Sequence, residues 1–204
     1  MKKRNERLAQ TVIKGLQSRN MTGYYAEDKE AALKQALELI EENSTISMGG
    51  CMSAHEIGLV QALQEGNYQY IDRSKMELRE GLLAAYDSDV FLSSANAMTS
   101  DGILVNIDGN SNRVSCIAQG PKKVIFIVGM NKVCDDLDSA MKRARNVAAP
   151  INAQRFEVKT PCKETGKCFD CKSPDTICCQ FLITRYSRHT GRIHVILVND
   201  NLGF

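Results

Sequence analysis

The chain has no tryptophan, only six phenylalanines and six tyrosines, and a net charge of just +2 over its 204 residues. Without stacking platforms or a basic face broken by aromatics, no nucleic-acid partner is expected. The longest strongly apolar run, Val124-Ile125-Phe126-Ile127-Val128, is far shorter than the roughly 20 residues a membrane helix needs, so no membrane insertion is expected. The basic start Met1-Lys2-Lys3-Arg4 leads into an amphipathic pattern rather than an apolar h-region, which points to a cytoplasmic protein with reduced thiols. Internal repeats and low-complexity linkers are missing too. With 43% hydrophobic and 25% charged residues, residues 1–204 read as one globular domain.

Cysteine is plentiful by contrast. Cys51, Cys116 and Cys134 are scattered, while the other five of eight fall in the run Cys162-x5-Cys168-x2-Cys171-x6-Cys178-Cys179. In a reducing compartment this crowding favours metal or redox chemistry over disulfides. Two thiolates in a CxxC unit can grip one ion, and Cys162, Cys168, Cys171 and Cys178 together suit zinc or an iron–sulfur cluster. The outer spacings match neither a standard zinc nor a ferredoxin pattern, so the metal's identity stays open and unliganded thiols are the alternative. His55, His189 and His194 have no metal-ligand spacing.

Apolar periodicity places a helix over 4–20 on Leu8, Val12, Ile13 and Leu16, and another over 28–42 on Leu33, Ala36, Leu37 and Ile40, with Asp28 as N-cap. Ser53 to Glu56 matches a capping box opening a helix through Gln64. Further helices are expected over 75–86 and from Asp135 to a stop at Pro150. Strands are expected at 45–48, 68–71, 90–92, 103–107, 114–118, 124–128, 181–186 and 193–198. This alternation predicts an α/β fold with a layered, mainly parallel sheet and helices on both faces. Residues 160–180 form a small Cys-rich C-terminal lobe within it.

In such sheets ligands bind beyond the carboxyl ends of the strands. Three expected strands end in polar loops: Met48 at Gly49-Gly50, Leu92 at Ser93 to Asn96, and Val128 at Gly129 to Lys132. The glycine loop and Ser53 can offer backbone N–H groups to an anion. Arg113 and Lys132 are candidate anion partners, Arg by a two-pronged contact. Asn96, Asn106, Asp108, Asn112 and Asn131 are candidates for orienting the ligand. Glu56 and Asp101 are the candidate acid–base carboxylates.

Several of these segments resemble the lactate-utilization (LUD, or LutC/YkgG-like) family: Ser93 to Gly102, Leu104 to Gly109, Asn112-Arg113-Val114, Gly129 to Lys132, Ala148 to Ala153, Thr160-Pro161-Cys162, Cys168 to Cys171 and Leu202-Gly203-Phe204. The resemblance implies a NagB/RpiA/CoA-transferase-like fold. It also implies a role beside iron–sulfur oxidoreductase proteins in lactate oxidation, and the converging polar loops make a small anionic metabolite the expected ligand. Two other functions fit the residues: an isomerase or transferase on a sugar phosphate or acyl-CoA, and a non-enzymatic metal or redox sensor.

Overall fold

The structure, a computed structural model, describes residues 2–204. Helix α1 (Lys2–Ser18) encloses Ala9, Val12 and Leu16, with Leu8 and Ile13 packed beside them. Strand β1 (Thr22–Ala26) follows, and α2 (Lys29–Glu38) starts at Asp28, whose carboxylate accepts the Ala31 amide at 2.8 Å. Strand β2 (Thr45–Met48) leads into α3 (Met52–Glu56). Here the expected capping box is not formed. Cys51 occupies the cap position without a side-chain bond, and Ser53 lies inside the helix, fully buried. The helix breaks at Gly58, whose φ of +76° is left-handed, and resumes as α4 (Leu59–Glu65).

Strand β3 (Gln69–Tyr70), helix α5 (Leu78–Tyr86) and strand β4 (Val90–Ser93) come next. Strands β5 (Ala97–Thr99) and β6 (Leu104–Asp108) pair antiparallel, the first inside what reads as a polar loop. The expected strand at 114–118 is instead helix α6 (Asn112–Ala118). Its apolar residues fit both periods, and the Asp108 carboxylate decides between them. It accepts the Arg113 and Val114 amides at 2.9 and 3.1 Å, satisfying N–H groups that a helix start leaves open.

After β7 (Lys123–Gly129) and β8 (Val133–Cys134), α7 (Leu137–Arg143) does not stop at Pro150. A π turn over Ala144–Ala148 carries it into α8 (Ala149–Ala153), with the Ala149 amide bonded five residues back to Ala144. That widened turn shifts the bonding ladder just where proline lacks an N–H. Helix α9 (Pro161–Thr165), strand β9 (Gln180–Thr184) and strand β10 (Ile193–Val198) complete the chain. Residues 166–179 have no helix or strand.

The main sheet is parallel throughout, in the order β1-β10-β7-β4-β2-β3. Along β7, Val124, Phe126 and Val128 enter the core shared with α1, while Ile125 and Ile127 enter the opposite core with α2 and α4. A strand covered on both faces reads as an unbroken apolar run for this reason. The layered α/β architecture expected from the sequence is present. A second sheet, β8-β5-β6-β9, adds to it, with β6 antiparallel to both neighbours.

Helix α1 meets the β5–β6 turn at backbone distance. A Cβ on Gly15 would lie 2.4 Å from the Asp101 carbonyl, and Gly102, at φ +92°, faces the Leu16 amide. Helix propensity alone favours alanine over glycine by about 1 kcal/mol. Gly15→Ala should nevertheless lower stability by about 2–4 kcal/mol, because the clashing atoms are backbone and cannot swing aside. Urea unfolding of the variant checks this, and a more stable protein would contradict the packing.

Candidate functional site

Parallel pairing of β2, β4 and β7 brings their carboxyl ends to one edge. The loops that follow them border a cleft of about 610 Å³, lined by Gly50, Cys51, Ser94, Asn96 and Lys132. The start of α6 adds Asn112 and Arg113, and the chain end adds Gly203 and Phe204. Arg155, Phe156 and residues 174–177 line it as well.

Lys132 is 3% exposed. Its ammonium donates to Ser94 Oγ at 3.0 Å and to Ser53 Oγ at 3.3 Å, and the Ser53 hydroxyl donates to Ser94 Oγ at 3.4 Å. No carboxylate pairs with it among the described residues. Burial, with a smaller push from Arg143 and Arg113 that Cys51 and Glu56 oppose, lowers the amine to about 8.

Arg113 is likewise without a carboxylate partner among the described residues. Its stem lies across Gly49, where a Cβ would come within 2.9 Å of Arg113 Cγ. Glycine there makes room for the arginine. Arg113 Nη2 donates to Asn96 Oδ1 at 3.2 Å and to the Ile107 carbonyl. Asn96 Oδ1 also accepts the Ile107 amide at 2.8 Å, so the oxygen is used and the amide nitrogen is left for the cleft.

Other sequence candidates support the walls. Asn106, fully buried and off the cleft, donates to the Ser94 carbonyl at 2.8 Å and fixes that loop. Its Oδ1 is the one buried side-chain acceptor without a partner among the described residues. Asp108 lines the cleft, but its carboxylate is occupied by the amides of Asn110, Arg113 and Val114. Asn131 holds the chain end, accepting the Leu202 amide at 3.2 Å. Glu56 does the same for Gly203, accepting its amide at 2.9 Å, and does not line the cleft. Asp101 is remote: it bonds Arg19 and Thr99 where α1 meets the second sheet.

Arg143 is absent from the residues that the sequence singles out. Its guanidinium donates to the Asn131 carbonyl at 3.0 Å and the Asn96 carbonyl at 2.5 Å, binding two strand-end loops together. Arg155 and Phe204 were missed as well; the guanidinium lies 5.7 Å from the ring centroid. Phe204 lies in a segment that carries the family resemblance, but nothing local marks it or the two arginines as site residues, since each reaches the site through tertiary contact.

Cys162, Cys168, Cys171 and Cys178 border a single small cavity of about 60 Å³. Burial and the surrounding thiols push Cys178 up to about 11. Yet no three Cys, His, Asp or Glu side chains are placed to hold a metal ion among the described residues, and all eight cysteines are free. The sequence gathers these thiols as expected, but the geometry lends the metal reading no support.

A family model described as LUD domain matches residues 9–198. The crystal structure of a DUF162 family protein from Deinococcus radiodurans superimposes with a TM-score of 0.54 at 12% identity, over 96% of this chain and 98% of that one. At that identity the likeness concerns the fold. No curated protein matches the chain.

The lowered Lys132 amine has a consequence for stability. Its value of about 8 in the folded protein lies below the roughly 10.4 of an unfolded chain, so between these limits the unfolded state holds more protons and stability rises with pH. Lys132→Met should remove the burial penalty, raising stability at neutral pH by about 1–3 kcal/mol and flattening that rise. Urea unfolding at neutral and alkaline pH measures both effects. A variant no more stable than the parent would refute the penalty.

Proposed function

The chain belongs to the LUD-domain family, and on that premise we propose that its cleft binds a small organic carboxylate in lactate utilization or a related redox pathway. One observation carries the reading: Lys132 and Arg113 line the same cleft, and neither is paired with a carboxylate among the described residues. Enclosing an unpaired charge is unfavourable, and a ligand anion relieves it. Arg113 engages the protein through Nη2, which leaves its other guanidinium N–H groups for a carboxylate. The Asn96 amide nitrogen and the backbone around Gly50 supply neutral donors. The cleft is larger than a three-carbon acid needs, so a longer carboxylate fits as well. Electron transfer would then belong to iron–sulfur partner proteins.

The isomerase reading fares worse. Acid–base work on a sugar phosphate needs a free carboxylate in the cleft. Of those lining it, Asp108 is occupied as described and Asp175 accepts the Lys159 amide at 2.9 Å.

Calorimetry with lactate, pyruvate and ribose 5-phosphate separates these functions. The parent protein should bind a carboxylate, and Arg113→Ala should weaken it at least about tenfold, some 1.4 kcal/mol. Preference for the sugar phosphate, or affinity unchanged in both Arg113→Ala and Asn96→Ala, would contradict the proposal.

A further inference from the structure

The surroundings of Lys132 suit bond formation as well as charge pairing. Gly203, at φ +53°, passes close to the amine: a Cβ there would crowd Lys132 Nζ at 3.1 Å and Ser53 Oγ at 3.2 Å, so glycine keeps a side chain off the nucleophile. The Glu56 carboxylate holds Gly203 in that place by its amide. Ser94 and Lys132 both face the cleft.

We infer that Lys132 forms an imine with a 2-oxo acid, the carbonyl carbon beside Nζ and the carboxylate on Arg113. This rests on the carboxylate-binding reading and narrows it to one substrate class. A neutral amine attacks the carbonyl carbon; the C–N bond forms as the C=O π pair moves onto oxygen. That oxygen takes a proton from a serine hydroxyl, and the nitrogen returns one to the serine. Loss of a second nitrogen proton and of the hydroxyl, together as water, completes the C=N bond. Amine and 2-oxo acid thus give imine and water, with no oxidant or reductant.

The hydrogen-bonded Ser53–Lys132–Ser94 cluster has the parts this needs: a nucleophile and two groups able to carry protons between nitrogen and oxygen. Desolvation beside other cations, which keeps part of the amine unprotonated near neutrality, favours the same role. Once protonated, the imine draws electrons from the neighbouring carbon and loosens its C–H bonds. The activity it supplies is chemistry at the carbon next to the carbonyl.

The test incubates the full chain with pyruvate and sodium borohydride, then locates the adduct by intact mass and peptide mapping. One adduct is expected, equal in mass to the keto acid less one oxygen atom, on the peptide carrying Lys132. It should vanish in Lys132→Met and Lys132→Arg, with thermal unfolding confirming that both fold. Ser94→Ala should slow trapping without moving it. Lactate, which has a hydroxyl where pyruvate has its keto group, should protect Lys132 without reacting. If pyruvate binds by calorimetry but no adduct forms, the imine is overturned while carboxylate binding stands. If it neither binds nor reacts, both fall. Labelling that persists equally in Lys132→Met would also overturn the inference.

Discussion

The Lys132 ammonium is enclosed by the hydroxyls of Ser53 and Ser94 beside Gly203, with no carboxylate paired to it among the described residues. Hydroxyls relieve only part of the desolvation of a charge. The cleft therefore carries an uncompensated positive charge on one wall, and Arg113 adds a second. A fold optimised for stability alone would fill both places with apolar or paired groups, and this is the ground on which an anion site is proposed there.

Placing that amine uses elements from the whole chain. Parallel pairing of β2, β4 and β7 puts Ser94 and Lys132 at the same sheet edge. The second sheet supplies Asn106, which ties down the Ser94 carbonyl, and Asp108, which begins α6 and so aims Arg113. Arg143 bridges the two loops from α7. Glu56 and Asn131 fasten the chain end at Gly203 and Leu202. Each support acts on the backbone, which gives the cleft a rigid floor before any ligand arrives.

Much of the scaffold is legible in the sequence because its signals are local. The apolar run of β7, the stripe of α1 and the Asp28 cap each follow from a few adjacent residues. The convergence of the Gly49, Ser94 and Lys132 loops follows from strand alternation and the rule that parallel sheets bind ligands at one edge. What is not legible turns on partners far away in the chain. Ser53 and Glu56 satisfy a capping pattern, but Lys132 and Gly203 claim their polar groups instead. Asp101, dense in local polarity, is committed to Arg19, just past the end of α1. At 114–118 two periods fit equally, and a carboxylate outside the segment settles the matter. Pro150 stays within a helix because the π turn before it absorbs the missing bond, which no propensity reports.

An uncompensated charge on Lys132 shows itself in the titration of that amine. Reductive methylation with ¹³C-formaldehyde, under conditions that leave the fold intact, lets NMR follow each lysine amine against pH. The Lys132 resonance, assigned by its loss in Lys132→Met, should titrate near the value of about 8 set by burial and move upward when a carboxylate occupies the cleft. An ordinary midpoint near 10.4, indifferent to carboxylates, would contradict the account.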